Sequence, residues 1–265
     1  MMEWRFLDSG PGSGAHNMAV DAALLESHAR GLSPATLRVY TWRPAAVSLG
    51  HFQPVAPDIR EDVCRARGID ICRRPTGGRA ILHAEDEVTF SAVVSEESLG
   101  AQGVMDSYRR LAGGIIAALA QVGIRAELVD RPGAGEKNSA TPACFAVKAR
   151  CDLVARGRKL VGSAQVHRDG FVLQQNSLPV RLDTAGWEAV FAGGGWAAAT
   201  DLRTEAGRPV PGTEMTAALR AGFEQALGLL CRDGGLTAWE LERAAALEAD
   251  ARRLEVPRRG SRGAE

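Results

Sequence analysis

At 265 residues the chain is long enough for one α/β or α+β domain with a sizeable core and at most a small appendage. Its 32 lysines and arginines balance 32 aspartates and glutamates, so no global field points to a nucleic acid or an anionic membrane. The five cysteines are odd in number and form no CxxC, which argues against a disulfide framework and for a reducing, cytoplasmic setting. Neither an apolar signal core nor a window near the roughly eighteen apolar residues of a membrane span is present.

In chain order, residues 4–7 read as a short strand and 9–14 as a Gly/Ser loop, too tight for a dinucleotide fingerprint. Residues 17–30 carry Met18, Ala22, Leu25 and Ala29 at helical spacing; Asp21 within them reads as a solvated helix position. Strands are expected over 36–40 and 46–49, then a short polar helix over 59–67 ending at Gly68. Alternation returns at 69–72 and 88–94. The main core helix is expected over 105–122, where Gly113-Gly114 suggests close packing.

Residues 130–142 form a long polar stretch that lacks the GxxxxGK[ST] of a P-loop. Strands over 152–155, 160–166 and 171–174, joined by turns at Arg156-Gly157 and Asp169-Gly170, make a three-strand meander. Gly193-Gly194-Gly195 reads as a hinge or loop. Helices are expected over 213–230 and 237–254, each opening on a threonine N-cap. Frayed residues close the chain from 252, so a single catalytic domain is expected over 1–255 and a disordered tail over 256–265. Without regular βαβ alternation, the fold class is α+β: a central mixed, mainly antiparallel sheet flanked by helices.

One stretch is dense in chemistry: Arg73-Arg74-Pro75-Thr76-Gly77-Gly78-Arg79-Ala80, followed by His83. Pro75 forbids a continued ladder, and the glycine pair lets backbone approach a ligand with no Cβ in the way. Amides there are free to face an anion or a carbonyl oxygen. A surface turn with solvated arginines is the plain alternative. The five histidines lack ligand spacing, so no metal site is expected.

The stretch 73–83 resembles the substrate loop of the lipoate–protein ligase and octanoyltransferase superfamily, which includes biotin protein ligases. Three further segments resemble the same superfamily in order: Asn17-Met18-Ala19-Val20-Asp21, Val47 to Gln53, and the hairpin Gly157 to Gln165 containing Lys159, Gly162, Ser163 and Ala164. The resemblance implies the fold shared by those ligases and class II aminoacyl-tRNA synthetases. It also implies a substrate pocket built from Arg73, Arg74, Thr76, Gly77, Gly78, Arg79, Ala80, His83, Gly162, Ser163 and Ala164.

Two chemistries share such a pocket. An ATP-dependent ligase makes a lipoyl-adenylate and needs no nucleophilic cysteine, whereas a transferase can hold the acyl group on a cysteine between half-reactions. Cys144, in Ala143-Cys144-Phe145, precedes Lys159 by the fifteen residues seen in the cysteine-dependent octanoyltransferases, the family this chain resembles most. Cys144 and Lys159 are thus the expected catalytic pair, since an ammonium beside a thiol favours the thiolate. Cys64, Cys72, Cys151 and Cys231 read as buried apolar residues, with Cys151 the best rival nucleophile. His83 reads as a pocket residue, with general-base work the less favoured role.

Burying the roughly six methylenes of an octanoyl chain is worth about 5 kcal/mol, enough to prefer it over acetyl. The resemblance implies octanoyl-acyl carrier protein as donor and a glycine-cleavage H protein or E2 lipoyl domain as acceptor, with no cofactor, nucleic acid or membrane involved. The alternatives are an ATP-dependent lipoate–protein ligase and a non-catalytic acyl-carrier-binding protein.

Overall fold

The chain alternates long β-branched runs with alanine-rich amphipathic stretches, and these sort into one large mixed sheet with helices on both faces. The computed structural model describes residues 2–55, 59–129, 144–146, 151–192 and 198–257. The polar stretch 130–142, the controls Lys137 and Lys148, the triplet Gly193-Gly194-Gly195 and the tail from 258 lie outside the described residues.

The strands of the large sheet are β1 (Met2–Gly12), β2 (Thr36–Trp42), β6 (Val88–Ser95), β7 (Glu127–Leu128), β8 (Leu153–Ala155), β9 (Arg158–Arg168), β10 (Phe171–Leu178) and β11 (Leu229–Asp233). They lie in the order β11-β1-β2-β6-β10-β9-β8-β7. Pairing is parallel at β11–β1–β2 and antiparallel from β2 through β7, so the sheet is mixed and mainly antiparallel as expected. A small sheet pairs β3 (Ala46–Leu49) with β4 (Asp70–Arg73) in parallel and with β5 (Ile81–His83) antiparallel.

Central β6 shows why both faces are covered. Phe90, Ala92 and Val94 face one core with α4 (Val104–Gln121) and α7 (Gly212–Leu227), while Val93 faces another with α1 (Gly14–Ala29). The close packing suggested for Gly114 is real: a Cβ there would meet the Phe223 ring at 2.8 Å, and one at Gly222 would meet Ala118 N at 2.4 Å. Gly113 has only ordinary contact, 3.8 Å to Ala226. Outside α1 lies α8 (Ala238–Arg252), opened by Thr237, whose side chain and Glu240 form a reciprocal capping box.

Several boundaries differ from the sequence reading. The expected loop over 9–14 is the end of β1, where the register shifts between Asp8 and Pro11 and Gly10 sits at φ +62°. Helix α1 begins at Gly14, with the Ser13 side chain accepting from His16 N. The helix expected over 213–230 stops at Leu227 because left-handed Gly228 ends it, and Leu229–Asp233 pairs alongside β1 instead. Its N-cap is Pro211, not a threonine. Short helices α2 (Glu61–Ala66), α3 (Glu96–Leu99), α5 (Thr184–Val190) and α6 (Leu202–Ala206) complete the described set. Arg253 and Leu254, expected to fray, are tied down: their carbonyls accept from Arg73.

Candidate active site

Lys159 sits near the start of β9, opposite a break in the ladder: Leu153 pairs with Val161 but Val154 with Lys159. The extra residue lets both Leu160 and Val161 enter the main core, and Lys159 turns away from it. Its ammonium has three N–H donors and three acceptors: Asp152 Oδ2 at 2.7 Å, Cys144 Sγ at 3.2 Å and Cys144 O at 3.1 Å. Lys159 is fully buried and Asp152 nearly so. Burial opposes the charge on Lys159, but the Asp152 carboxylate and then the Cys144 sulfur outweigh it, holding the ammonium above the ordinary lysine range.

Cys144 opens a short 3₁₀ turn (Cys144–Ala146), and its amide donates to Ala80 O at 2.8 Å. Phe145 anchors that turn, buried edge-on against Trp187 at 5.3 Å, with the Lys159 ammonium 5.1 Å from its ring centre. Half-buried Cys144 is therefore held at both ends while its sulfur reaches a cavity. Cys151 is not among the lining residues; it is buried, with Sγ 3.7 Å from Met105 Sδ.

In the arginine-glycine loop the two arginines do different work. Arg74 is buried, lines the cavity and spends its guanidinium on the loop itself: Thr76 Oγ1, Ser48 O and Oγ, Gly77 O at 2.7 Å and Arg79 O at 2.8 Å. Arg73 is not among the residues that line this cavity. Its guanidinium donates to the carbonyls of Gly50, His51 and Gln53 and of the C-terminal Arg253 and Leu254. Thr76 donates to Gln175 Oε1 at 2.7 Å, from behind the lining.

The tight approach lies at Gly50, which the sequence reading did not single out: a Cβ there would fall 1.9 Å from Gly78 O. Gly78 itself is at φ +96°, and Gly77 has open space where a Cβ would stand. Gly78, Arg79, His83, Gly162, Ser163 and Ala164 line the cavity; Ala80 lies just behind, holding Cys144 through its carbonyl.

His83 is clamped: Nδ1 is 2.7 Å from Glu87 Oε1, Nε2 is 2.8 Å from Ser48 Oγ, and Trp42 stacks on the ring at 3.9 Å. Asp21, expected to be solvated, is fully buried. Its carboxylate accepts from Arg38 Nη1, Ser91 Oγ and Gln175 Nε2, each at 2.7 Å, and from Tyr40 Oη at 3.0 Å. The α1 helix points Asp21 at the sheet, and partners on three strands, distant in sequence, neutralise and satisfy it. Burial, with Asp21 beside it, pushes the Tyr40 hydroxyl well above the ordinary tyrosine range.

These parts enclose a cavity of about 250 Å³. At one end stand Cys144, Lys159 and Asp152; Met18, Tyr40, Trp42, Ile81 and Ala164 supply apolar wall. A soft nucleophile beside a buried cation, opening on an apolar slot, suits acyl transfer. Asp152 is the functional residue the sequence reading missed; its signal was a carboxylate heading the apolar strand run Leu153-Val154-Ala155.

The fold and this site define a lipoyl ligase-type acyl-handling domain. A model of the lipoyl protein ligase A/B catalytic domain matches residues 13–224, and the chain belongs to that family. It is 40% identical to a protein named octanoyltransferase LipM from Kyrpidia tusciae, over 94% of this chain and 96% of that one. A protein of the same name from Symbiobacterium thermophilum is also 40% identical, over 92% and 93% of the two chains. Among solved structures, a lipoate-protein ligase A bound with ATP superposes with TM-score 0.80 at 26% identity, covering 94% of this chain and 95% of that one.

Proposed function

We propose that this protein is a cysteine-dependent octanoyltransferase of lipoate biosynthesis, working through a thioester on Cys144. The observation that carries the reading is the 3.2 Å contact between Cys144 Sγ and the Lys159 ammonium, itself charge-balanced by Asp152. The likeness to proteins named octanoyltransferase supports the reaction class.

In the first half-reaction Cys144 Sγ, as thiolate, attacks the carbonyl carbon of an octanoyl thioester on acyl carrier protein. A new C–S bond forms, the old one breaks, and the carrier's thiolate departs and is protonated. Lys159 stabilises both the attacking sulfur and the charge that develops on the carbonyl oxygen. In the second, a neutral lysine amine of a lipoyl-accepting protein, a glycine-cleavage H protein or E2 domain, attacks the acyl-enzyme. The C–N bond replaces the C–S bond, the amine loses a proton to water, and Cys144 returns as thiolate. Arg74, Thr76 and the glycine turn hold the pocket wall beside the acyl carbonyl. Arg73 contributes through the fold, fixing the 50–53 turn against the C-terminal segment. No described helix is long and apolar enough to cross a membrane; a reducing cytoplasm would keep Cys144 as a thiol.

Intact mass spectrometry after incubation with octanoyl-acyl carrier protein, with no ATP, tests the reading. One hydroxylamine-labile octanoyl group should appear on the wild-type protein and be absent from Cys144→Ala. Transfer that needs ATP would replace it with the adenylate-forming ligase, and an adduct abolished by Cys151→Ala but not by Cys144→Ala would move the nucleophile.

A further inference from the structure

The central cavity ends at a side chain it shares with a larger one. Met18 is 3% exposed and lines both the 250 Å³ cavity and a neighbouring cavity of about 480 Å³ between α1, the arginine loop and α8. The second cavity has an apolar wall that includes Ala19, Ala22, Leu25 and Leu247. Arg74 lines both as well, but its guanidinium is fixed by hydrogen bonds to the loop. The Met18 thioether has one polar contact, from Gln175 Nε2 at 3.3 Å, on an otherwise pliable side chain. Gln175 pairs with Ala164 on β9, and at about 3.3 Å rise per residue that register puts Met18's contact on the order of 15 Å along the strand from Lys159. The nucleophile and Met18 thus stand toward opposite ends of the slot.

Resting on the octanoyl-transfer reading, we infer that Met18 is a specificity-determining residue: its side chain closes the far end of the acyl slot and so sets the chain length. An acyl group longer than the slot would have to displace Met18 to enter the neighbouring cavity. Truncating Met18 joins the two spaces, and each further methylene then buried favours the longer chain by a factor of about four.

The test is acyl loading of Cys144 from a mixture of octanoyl- and dodecanoyl-acyl carrier protein, read by intact mass. Met18→Ala should raise the dodecanoyl-to-octanoyl ratio by at least about tenfold, as burial of two or more methylenes predicts. Met18→Val should raise it less, and serves if the alanine variant does not fold. Adding Ala22→Trp to Met18→Ala fills the second cavity and should cancel the gain. A folded Met18→Ala protein that loads octanoyl normally with an unchanged ratio overturns the inference while leaving the transferase reading intact. Absence of any octanoyl adduct on the wild-type protein instead overturns the reading beneath it.

Discussion

Replacing Asp152 with asparagine removes the carboxylate 2.7 Å from the Lys159 ammonium and leaves the amide's size nearly unchanged. The side chains are 0% and 3% exposed, so water screens little of the loss. Removing one partner of such a buried pair costs about 3–5 kcal/mol, since the remaining charge is stranded. The sign with pH follows. In the wild type Lys159 is held above its ordinary range, so the pair's stabilisation is complete below about pH 10.5 and fades only as pH climbs through the raised value. In Asp152→Asn burial loses its largest counterweight, Lys159 drops below its ordinary range, and the folded state binds fewer protons than the unfolded one. The variant should then be least stable at acid and neutral pH and recover as pH rises toward about 10.5. Urea unfolding from pH 6 to 10 measures this. The double variant Asp152→Asn/Lys159→Met has no stranded charge and should regain most of the lost stability while acyl loading stays abolished. A single-variant loss under about 1 kcal/mol would refute the reasoning, as would a double variant losing the sum of the two single losses.

Gly50→Ala drives a Cβ to within 1.9 Å of Gly78 O, so it should displace the arginine-glycine loop, cost about 1–3 kcal/mol and depress acyl loading; Gly77→Ala, with open space, should fold and melt like the wild type. Thermal melts paired with the mass assay separate the two. Burial pushes the thiols of Cys64, Cys72 and Cys231 up to about 11, 12 and 11, so iodoacetamide at pH 8 should label Cys144 ahead of all three, as peptide mapping can read. Asp21→Ala leaves Arg38, Tyr40 and Gln175 without their shared buried acceptor and should cost about 3–5 kcal/mol in urea unfolding, where a solvated residue would cost under about 0.5 kcal/mol.

Local rules settled much of this protein before any tertiary contact is considered. The β10 and β9 meander was legible because Asp169-Gly170 supplies a hairpin turn between alternating runs. Helix α8 was legible from Thr237 and Glu240. The Cys144–Lys159 pair was legible from spacing in a familiar pattern. What needed the folded chain was every property that depends on a partner far away in sequence. Asp21 reads as a helix carboxylate until Arg38, Tyr40, Ser91 and Gln175 converge on it from three strands. Arg73 and Arg74 are adjacent and chemically identical, yet strand alternation sends one to the C-terminal backbone and the other to the cavity wall. Gly50 looks ordinary until Gly78, brought beside it by the pairing of β3 and β5, leaves no room for a Cβ. Leu229–Asp233 follows a helix without a break in apolar pattern, and only the open edge of β1 decides that it is a strand. The charge state at the site is likewise tertiary: burial alone would strip Lys159 of its proton, and the carboxylate that keeps it there is supplied by a neighbouring strand across a bulge.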